Sequence, residues 1–205
     1  MYRAASSETF ERLFQTAVSL VRKAGYEGVT VSQITQEAGV SKGNFFNYFP
    51  TKAHVLSESL RRSVDSAFEA VRLQGVAGAE AILVFSRVLA EVLATDRVVT
   101  EALVFHLSGL PTSPGGAQVM VREEERIRSW LEARLDEALP VSVPLVPADP
   151  GTLAFLLTWT ILGTSDEWVR SEADREALQG MISGRVEFLL DSVGLPTDTD
   201  GGGPS

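Results

Sequence analysis

The sequence predicts an all-α protein with a small three-helix N-terminal domain and a larger helical body. Apolar residues recur at three- and four-residue intervals through most of its 205 residues, which is the spacing of buried helix faces. Proline is scarce inside these segments, and glycine and proline cluster between them. We expect about nine helices, with domain boundaries at 1–52 and 53–195 and a disordered tail at 196–205.

The first two helices have clear limits. Apolar periodicity predicts a helix from about Ser7 to Ala24, and Gly25 ends it. Thr30 and Gln33 then form a capping-box pattern at the start of a second helix, Val31 to Ala38.

A short third helix follows a tight turn. Gly39 takes the turn and Ser41 is the N-cap, so we predict a helix from Lys42 to Tyr48 or Phe49. Pro50 discourages its continuation.

Six longer segments complete the predicted helices. They run at about Lys52–Leu73, Ala79–Thr95, Arg97–Leu107, Ala117–Ala138, Gly151–Arg170 and Ala173–Val193. Loops rich in glycine or proline separate them at Ser108–Gly116 and Pro140–Pro150.

Composition removes several functional classes. Cysteine is absent, which excludes disulfides, thiol catalysis and cysteine-bound zinc. There are two histidines, and the nucleotide-binding, zinc-protease and nucleophile-elbow signatures are absent, so we expect neither an enzyme nor a cofactor. The longest apolar run, Leu153–Gly163, is about half of the roughly 20 residues that a membrane helix needs. We expect a soluble, cytoplasmic protein.

Charge is distributed unevenly along the chain. Residues 1–62 hold eight Lys/Arg and five Glu, a net charge of +3, so the rest of the chain carries −12 and the whole chain −9. Such asymmetry is a weak indication of a nucleic-acid-binding part joined to another module.

The third predicted helix has two distinct faces. At about 100° per residue, Asn44, Asn47 and Tyr48 share an exposed face, while Phe45 and Phe49 lie on a buried one. Asparagine can bond N6 and N7 of adenine in the major groove of DNA. This division is what a recognition helix requires, although helix–glycine–helix patterns also occur in ordinary bundles.

Further residues near this helix suit contacts with the DNA backbone. Gly43 allows close approach of the peptide chain, and Lys42 and Lys52 stand at helix starts where phosphates bind. Thr30 and Ser32 could contact a phosphate at the start of the second helix.

The run LFQTAVSLVRKAGYEGVTVSQITQEAGVSKGNFFNYFPTKAHVL resembles the N-terminal domain of TetR/AcrR-family transcriptional regulators over residues 10–57. The resemblance implies a DNA-binding domain, a larger ligand-binding and dimerisation domain, and usually repression relieved by a small molecule. The positions that match the family's DNA contacts are Thr30, Lys42, Gly43, Asn44, Phe46, Asn47, Tyr48 and Lys52. Phe46 departs from the tyrosine common in the family, and the N-terminal arm holds only Arg3.

The last two helices carry apolar stripes that we expect to form a dimer interface. One stripe comprises Leu178, Ile182, Val186, Leu189 and Val193, and the other Phe155, Trp159 and Leu162. In the family that the chain resembles, two such helices usually pair with their symmetry mates, and Ser183 and Gly184 would allow close approach. The alternative is that both stripes are core within one chain.

An effector pocket is expected among the middle helices. Its candidate residues are Phe85, Leu89, Leu103, Phe105, His106, Met120, Ile127, Trp130, Phe155 and Trp159, although the pattern of each favours plain core over a ligand wall. Asp166 continues an apolar stripe, where a carboxylate needs a partner, and could mark the pocket, the dimer seam or only a helix end.

Together with these patterns, the family resemblance implies a dimeric repressor that binds a pseudo-palindromic DNA operator and is released by a small apolar or amphipathic effector. One alternative is a helical small-molecule-binding protein with a non-functional DNA module. Another is an enzyme that uses an apolar cavity.

Overall fold

The computed structural model describes residues 2–108, 116–139 and 149–195, with the backbone alone at 2–6, 106–108 and 116–121. The predicted tail at 196–205 and the side chains of His106 and Met120 lie outside the described residues. Within the described part of the chain, no helix is both long and apolar enough to cross a membrane.

The described residues form nine helices, which confirms the predicted all-α class. They are α1 (Tyr2–Ala24), α2 (Val31–Ala38), α3 (Lys42–Tyr48), α4 (Ala53–Gln74), α5 (Gly78–Thr95), α6 (Arg97–Ser108), α7 (Gly116–Ala138), α8 (Pro150–Arg170) and α9 (Arg175–Ser192).

Two helix starts differ by more than one residue from the sequence-based expectation. α1 begins five residues before Ser7, because the apolar pattern that located it starts only at Phe10 and cannot mark an earlier turn. α9 begins at Arg175, because the Asp174 carboxylate accepts the Ala177 amide at 2.9 Å and acts as its N-cap.

The described residues divide into two compact units. One comprises the chain up to Arg62 together with Asp96–Glu123, and the other comprises Ser63–Thr95 and the chain from Glu124 onward. The first unit thus contains α6 as well as α1–α3, because α6 packs against α1. The domain boundary at 52/53 is a different division of the chain and stays a prediction.

Each unit has its own apolar core. In the first unit, α2 packs against α1 and α3, and fully buried side chains such as Leu13, Ile34 and Phe45 fill the space. In the second, α9 packs against both α5 and α8. Phe68, Phe85 and Trp130 form an aromatic cluster there, with ring centroids 4.8 to 5.2 Å apart.

Candidate nucleic-acid interface

The turn between α2 and α3 is fixed by glycine. Gly39 adopts φ 65° and ψ 37°, a left-handed conformation that strains any residue with a side chain. Its amide and that of Val40 return to carbonyls of α2, the second at 3.0 Å to Thr35, which closes the C-terminus of α2. The direction in which the chain enters α3 is therefore set locally.

The start of α2 carries the predicted capping box. The Thr30 hydroxyl oxygen accepts the Gln33 amide at 3.3 Å, and Gln33 Oε1 accepts the Thr30 amide at 2.8 Å. Thr30 and Ser32 are both exposed beside this first turn. Both predicted phosphate ligands thus lie at a capped, exposed helix N-terminus.

α3 is a helix of seven residues held at both ends. The Ser41 hydroxyl oxygen accepts the Asn44 amide at 3.2 Å, and the Phe49 amide donates to the Phe45 carbonyl at 2.9 Å. So short a helix is unstable alone, and its persistence depends on these caps and on packing.

The inner face of α3 consists of aromatic rings. Phe45 is 0% exposed and Phe49 is also buried, and their ring centroids lie 5.5 Å apart. Phe10 of α1 stacks on Phe49 at 4.9 Å. These contacts confirm the predicted inward direction of the two phenylalanines and anchor α3 against α1.

The outer face of α3 presents most of the predicted DNA contacts. Lys42, Gly43 and Asn47 are exposed, and Phe46 is 49% exposed. A Cβ atom at Gly43 would meet nothing closer than the Ser41 hydroxyl at 3.9 Å, so the surface there is open.

Two predicted contact residues are less accessible than a simple exposed face requires. Asn44 and Tyr48 are half-buried, and the Tyr48 ring packs edge-on to Phe10 with centroids 6.0 Å apart. The face that is open to a partner therefore centres on Lys42, Gly43 and Asn47.

Lys52 lies just before α4 and turns toward the protein. Its Nζ donates to the carbonyls of Tyr26 at 2.8 Å and Val29 at 2.9 Å, and lies 3.9 Å from the Tyr26 ring centroid. Burial lowers the pKa of Lys52. The sequence placed this residue at a helix start but did not indicate these bonds.

A charged clamp joins α1 to α4 beside the aromatic anchor. Arg62 donates to both Glu11 oxygens, at 3.0 and 2.6 Å, and to Glu58 at 2.8 Å, and its guanidinium lies 4.0 Å from the Phe14 ring centroid. Bonding to Arg62 and then to Gln15 lowers the pKa of Glu11 to about 2. The Glu58–Arg62 spacing of four is visible in the sequence, whereas Glu11 lies 51 residues away.

The predicted pocket residues fall into both units and are not alike. Phe85, Leu89, Leu103 and Ile127 are buried core, and Trp130 is half-buried in the aromatic cluster. Phe105, Phe155 and Trp159 are instead exposed. Phe105 lines a cleft of about 280 Å³ in the first unit, together with Gly25–Gly28 and residues of α6. The pocket remains a prediction.

The predicted dimer stripe on α9 requires a correction. Leu178, Ile182 and Val186 are fully buried within the single chain, so they are core residues that no partner can cover. Leu189 and Val193 are half-buried.

Asp166 accepts a bond from Arg170 at 2.8 Å, one turn later, which assigns it to a helix-end ion pair.

The capped α2–α3 pair, with its aromatic inner face and open outer face, defines a helix-turn-helix protein. The model of the family described as "Bacterial regulatory proteins, tetR family" matches residues 13–58. The repressor KstR of Rhodococcus jostii is 33% identical over 61 residues, which is 30% of this chain and 29% of that protein. KstR of Mycobacterium tuberculosis is 31% identical over 75 residues, which is 37% of this chain and 34% of that protein. The match thus spans about a third of the length of these relatives.

Solved structures extend the likeness to the whole described fold. FadR of Thermus thermophilus, a TetR-family repressor in complex with lauroyl-CoA, has a TM-score of 0.70 at 22% identity, covering 96% of this chain and 99% of that one. FadR of Bacillus subtilis, in complex with stearoyl-CoA, has a TM-score of 0.64 at 20% identity, covering 90% and 99%. The N-terminal part of the chain is thus similar to the tetR family of bacterial regulatory proteins, and the described residues share the fold of these solved structures.

Proposed function

We propose that this chain is a transcriptional repressor that binds a pseudo-palindromic DNA operator as a homodimer and releases it when a small apolar or amphipathic effector binds. It works in the cytoplasm, where bacterial DNA lies. The observation that carries the proposal is the arrangement of α3, where Phe45 and the following Phe49 are buried while exposed side chains face outward, among them Lys42 and Asn47, with Gly43 beside them. Two copies of so short a helix, about 34–36 Å apart, would read two half-sites.

Each outward residue of α3 has its own task in this proposal. Asn47 reads adenine through its amide, and the half-buried Asn44 supports or extends that contact. Phe46 cannot donate a hydrogen bond, so its exposed ring packs on a sugar or a thymine methyl. Lys42, Thr30 and Ser32 contact phosphates, and Gly43 lets the helix approach the groove.

The decisive experiment selects bound duplexes from a random pool and compares variants on the selected site. We expect Asn47→Ala to lose sequence preference while folding normally, and Lys42→Ala to weaken all duplexes and reduce the salt slope by about one. Lys23→Ala, another exposed lysine at the end of α1, is the matched control. An unaltered sequence preference in Asn47→Ala would contradict the proposed role of Asn47 in recognising bases. A chain that binds apolar compounds but shows no salt-sensitive DNA affinity would be a small-molecule-binding protein instead.

The exposed apolar face of α8 and α9 supports the dimer. Phe155, Leu156 and Trp159 on α8 and Phe188 on α9 are large apolar side chains left between 42% and 71% exposed. Such side chains on neighbouring helices are typical of a surface that a partner covers.

Glycines in the same two helices also support the proposed dimer. Gly163, Gly180 and Gly184 lie inside helices, yet a Cβ atom at any of them would meet nothing within 4 Å. Gly180 and Gly184 precede Phe188 at intervals of four, so these three share one helix face. Glycine inside a helix costs about 0.5–1 kcal/mol relative to alanine, and the single chain needs none of the space. A second copy's helices would fill it.

The dimer is tested by Trp159→Ser and Phe188→Ser, with Leu73→Ser on α4, which is 69% exposed, as the matched control. We expect each interface variant to weaken dimerisation by about 2 kcal/mol, or roughly 30-fold, because buried aromatic anchors dominate such interfaces. Mass measured by light scattering across a dilution series would show this. Equal dimerisation in all three variants would place the interface elsewhere.

Long-chain acyl groups are the first effector class to test, since the two FadR proteins of the same fold hold lauroyl-CoA and stearoyl-CoA. In this chain the residues outside 1–62 carry −12, which disfavours a polyanionic head group. We therefore expect a neutral acyl compound to release DNA at lower concentration than the acyl-CoA of equal chain length. The reverse order would show that basic residues bind the CoA phosphates.

A further inference from the structure

We infer that Lys52 is a positioning residue that fixes the α1–α2 turn, and through it the start of α2, rather than a ligand of DNA phosphate. The inference rests on the proposed DNA binding and changes the part played by one of its predicted contacts. It follows from where the ammonium group lies, which the sequence did not indicate.

The ammonium of Lys52 is already engaged by the protein. Two of its three protons are donated to the Tyr26 and Val29 carbonyls, at 2.8 and 2.9 Å, and the Tyr26 ring lies against it at 3.9 Å. While these contacts persist, at most one proton of the ammonium is left for a phosphate, and the position of Nζ is set by the turn. Lys42 differs because its side chain is exposed on α3.

The two carbonyls belong to the turn that connects α1 to α2. Gly25, at φ 70°, ends α1, and the Val29 amide returns to the Tyr26 carbonyl at 3.3 Å. Val29 directly precedes Thr30, whose capping box sets the first turn of α2. By bonding both carbonyls, Lys52 fixes the peptide plane that leads into the cap, and hence the place of Thr30 and Ser32.

The Tyr26 side chain that lies against Lys52 stays protonated over a wide pH range. Burial, and then the neighbouring carboxylate of Glu27, raise the pKa of Tyr26 to about 12. The ring therefore remains a neutral phenol with its electron-rich face toward the ammonium. The contact between the Lys52 ammonium and the Tyr26 ring therefore persists at any physiological pH.

Salt dependence of DNA binding separates the two roles. A phosphate ligand contributes about one to the salt slope, whereas a positioning residue contributes to affinity alone. We expect Lys52→Met to lower operator affinity about tenfold with the slope unchanged, and Lys42→Met to lower both. A slope reduced by about one in Lys52→Met would overturn the inference.

A double-mutant cycle adds a readout that general destabilisation would not move. If Lys52 acts through the start of α2, Thr30→Ala should cost less affinity in the Lys52→Met background than in the wild type. Lys42→Met, on another helix, should combine additively with Lys52→Met. Additivity in both cycles would overturn the inference.

Two further measurements keep the test open if Lys52→Met folds poorly or the chain fails to bind DNA. Lys52→Arg keeps the charge, but its planar fork does not reproduce the geometry at two carbonyls and a ring, so we expect reduced affinity; full affinity would favour the phosphate role. In the free protein, Lys52→Arg should speed hydrogen exchange of the Val29 and Thr30 amides at least tenfold while the Phe49 amide of α3 is unchanged. Unchanged exchange at Val29 and Thr30 would overturn the positioning role whether or not DNA is bound.

Discussion

The helices α3 and α9 both bury apolar side chains and differ in what they expose. α3 buries a phenylalanine and turns lysine, glycine and asparagine outward. α9 buries Leu178, Ile182, Val186 and Leu190 and exposes two glycines and Phe188 alongside charged residues such as Arg185. Both helices have a closed inner face, so their outer faces determine which partner fits. Exposed lysine and asparagine beside an open glycine suit a DNA groove, whereas a large exposed apolar side chain beside open glycines suits another helix.

The largest expected effect tests the inner face of α3. Phe45→Ala should cost about 3–5 kcal/mol of stability, because it removes a fully buried ring that contacts Phe46 and Phe49. Phe46→Ala, one residue later and 49% exposed, should cost about 1 kcal/mol or less. Urea unfolding of both variants measures the difference. Equal losses would mean that α3 has no distinct inner and outer face.

The capped helices near the N-terminus could be predicted nearly to the residue. Their signals are local: Thr30 with Gln33, Gly39 at the turn and Ser41 at the next cap all act within four residues. The stripe on α9 shows the limit of periodicity. Spacing by four correctly placed Leu178, Ile182 and Val186 on one face, but it cannot say whether α5 and α8 or a second chain covers that face.

Contacts between residues far apart in the chain could not be predicted from the sequence, for a different reason. The bonds from Lys52 reach back 26 and 23 residues, and the pair Glu11–Arg62 spans 51. No local pattern specifies which of several charged residues will meet when helices pack. The residues of the first unit were therefore recognisable as a DNA-binding pattern, while the part that Lys52 plays in it was not.

A smaller effect concerns the charged clamp that holds α1, and so Phe10, behind α3. Glu11→Gln should cost about 1 kcal/mol at pH 7, since 47% of the Glu11 side chain is exposed and solvent screens the pair with Arg62. Because the pKa of Glu11 is lowered from 4.5 to about 2, this contribution is present above pH 4.5 and is lost as the pH falls toward 2.

Urea unfolding of wild type and Glu11→Gln at several pH values between 7 and 3 measures this loss. The gap between the two proteins should narrow below about pH 5. Glu37→Gln, an exposed position on α2 outside the clamp, is the control and should show a small gap at every pH. A gap at Glu11 that stays constant to pH 3 would show that the stability difference does not come from the charge of the carboxylate.

The smallest effect on stability distinguishes the two outer faces most directly. Gly43→Ala on α3 and Gly184→Ala on α9 both place a methyl group in open space within a helix, so each should stabilise the isolated chain by about 0.5–1 kcal/mol. The two substitutions should then differ in which binding interaction they weaken. Gly43→Ala should weaken operator binding and leave the dimer intact, because the methyl group separates α3 from the groove. Gly184→Ala should weaken the dimer first, because it separates two helices. Unfolding, DNA titration and light scattering on the same two proteins measure all three quantities, and the same loss in both variants would show that the two faces do not bind different partners.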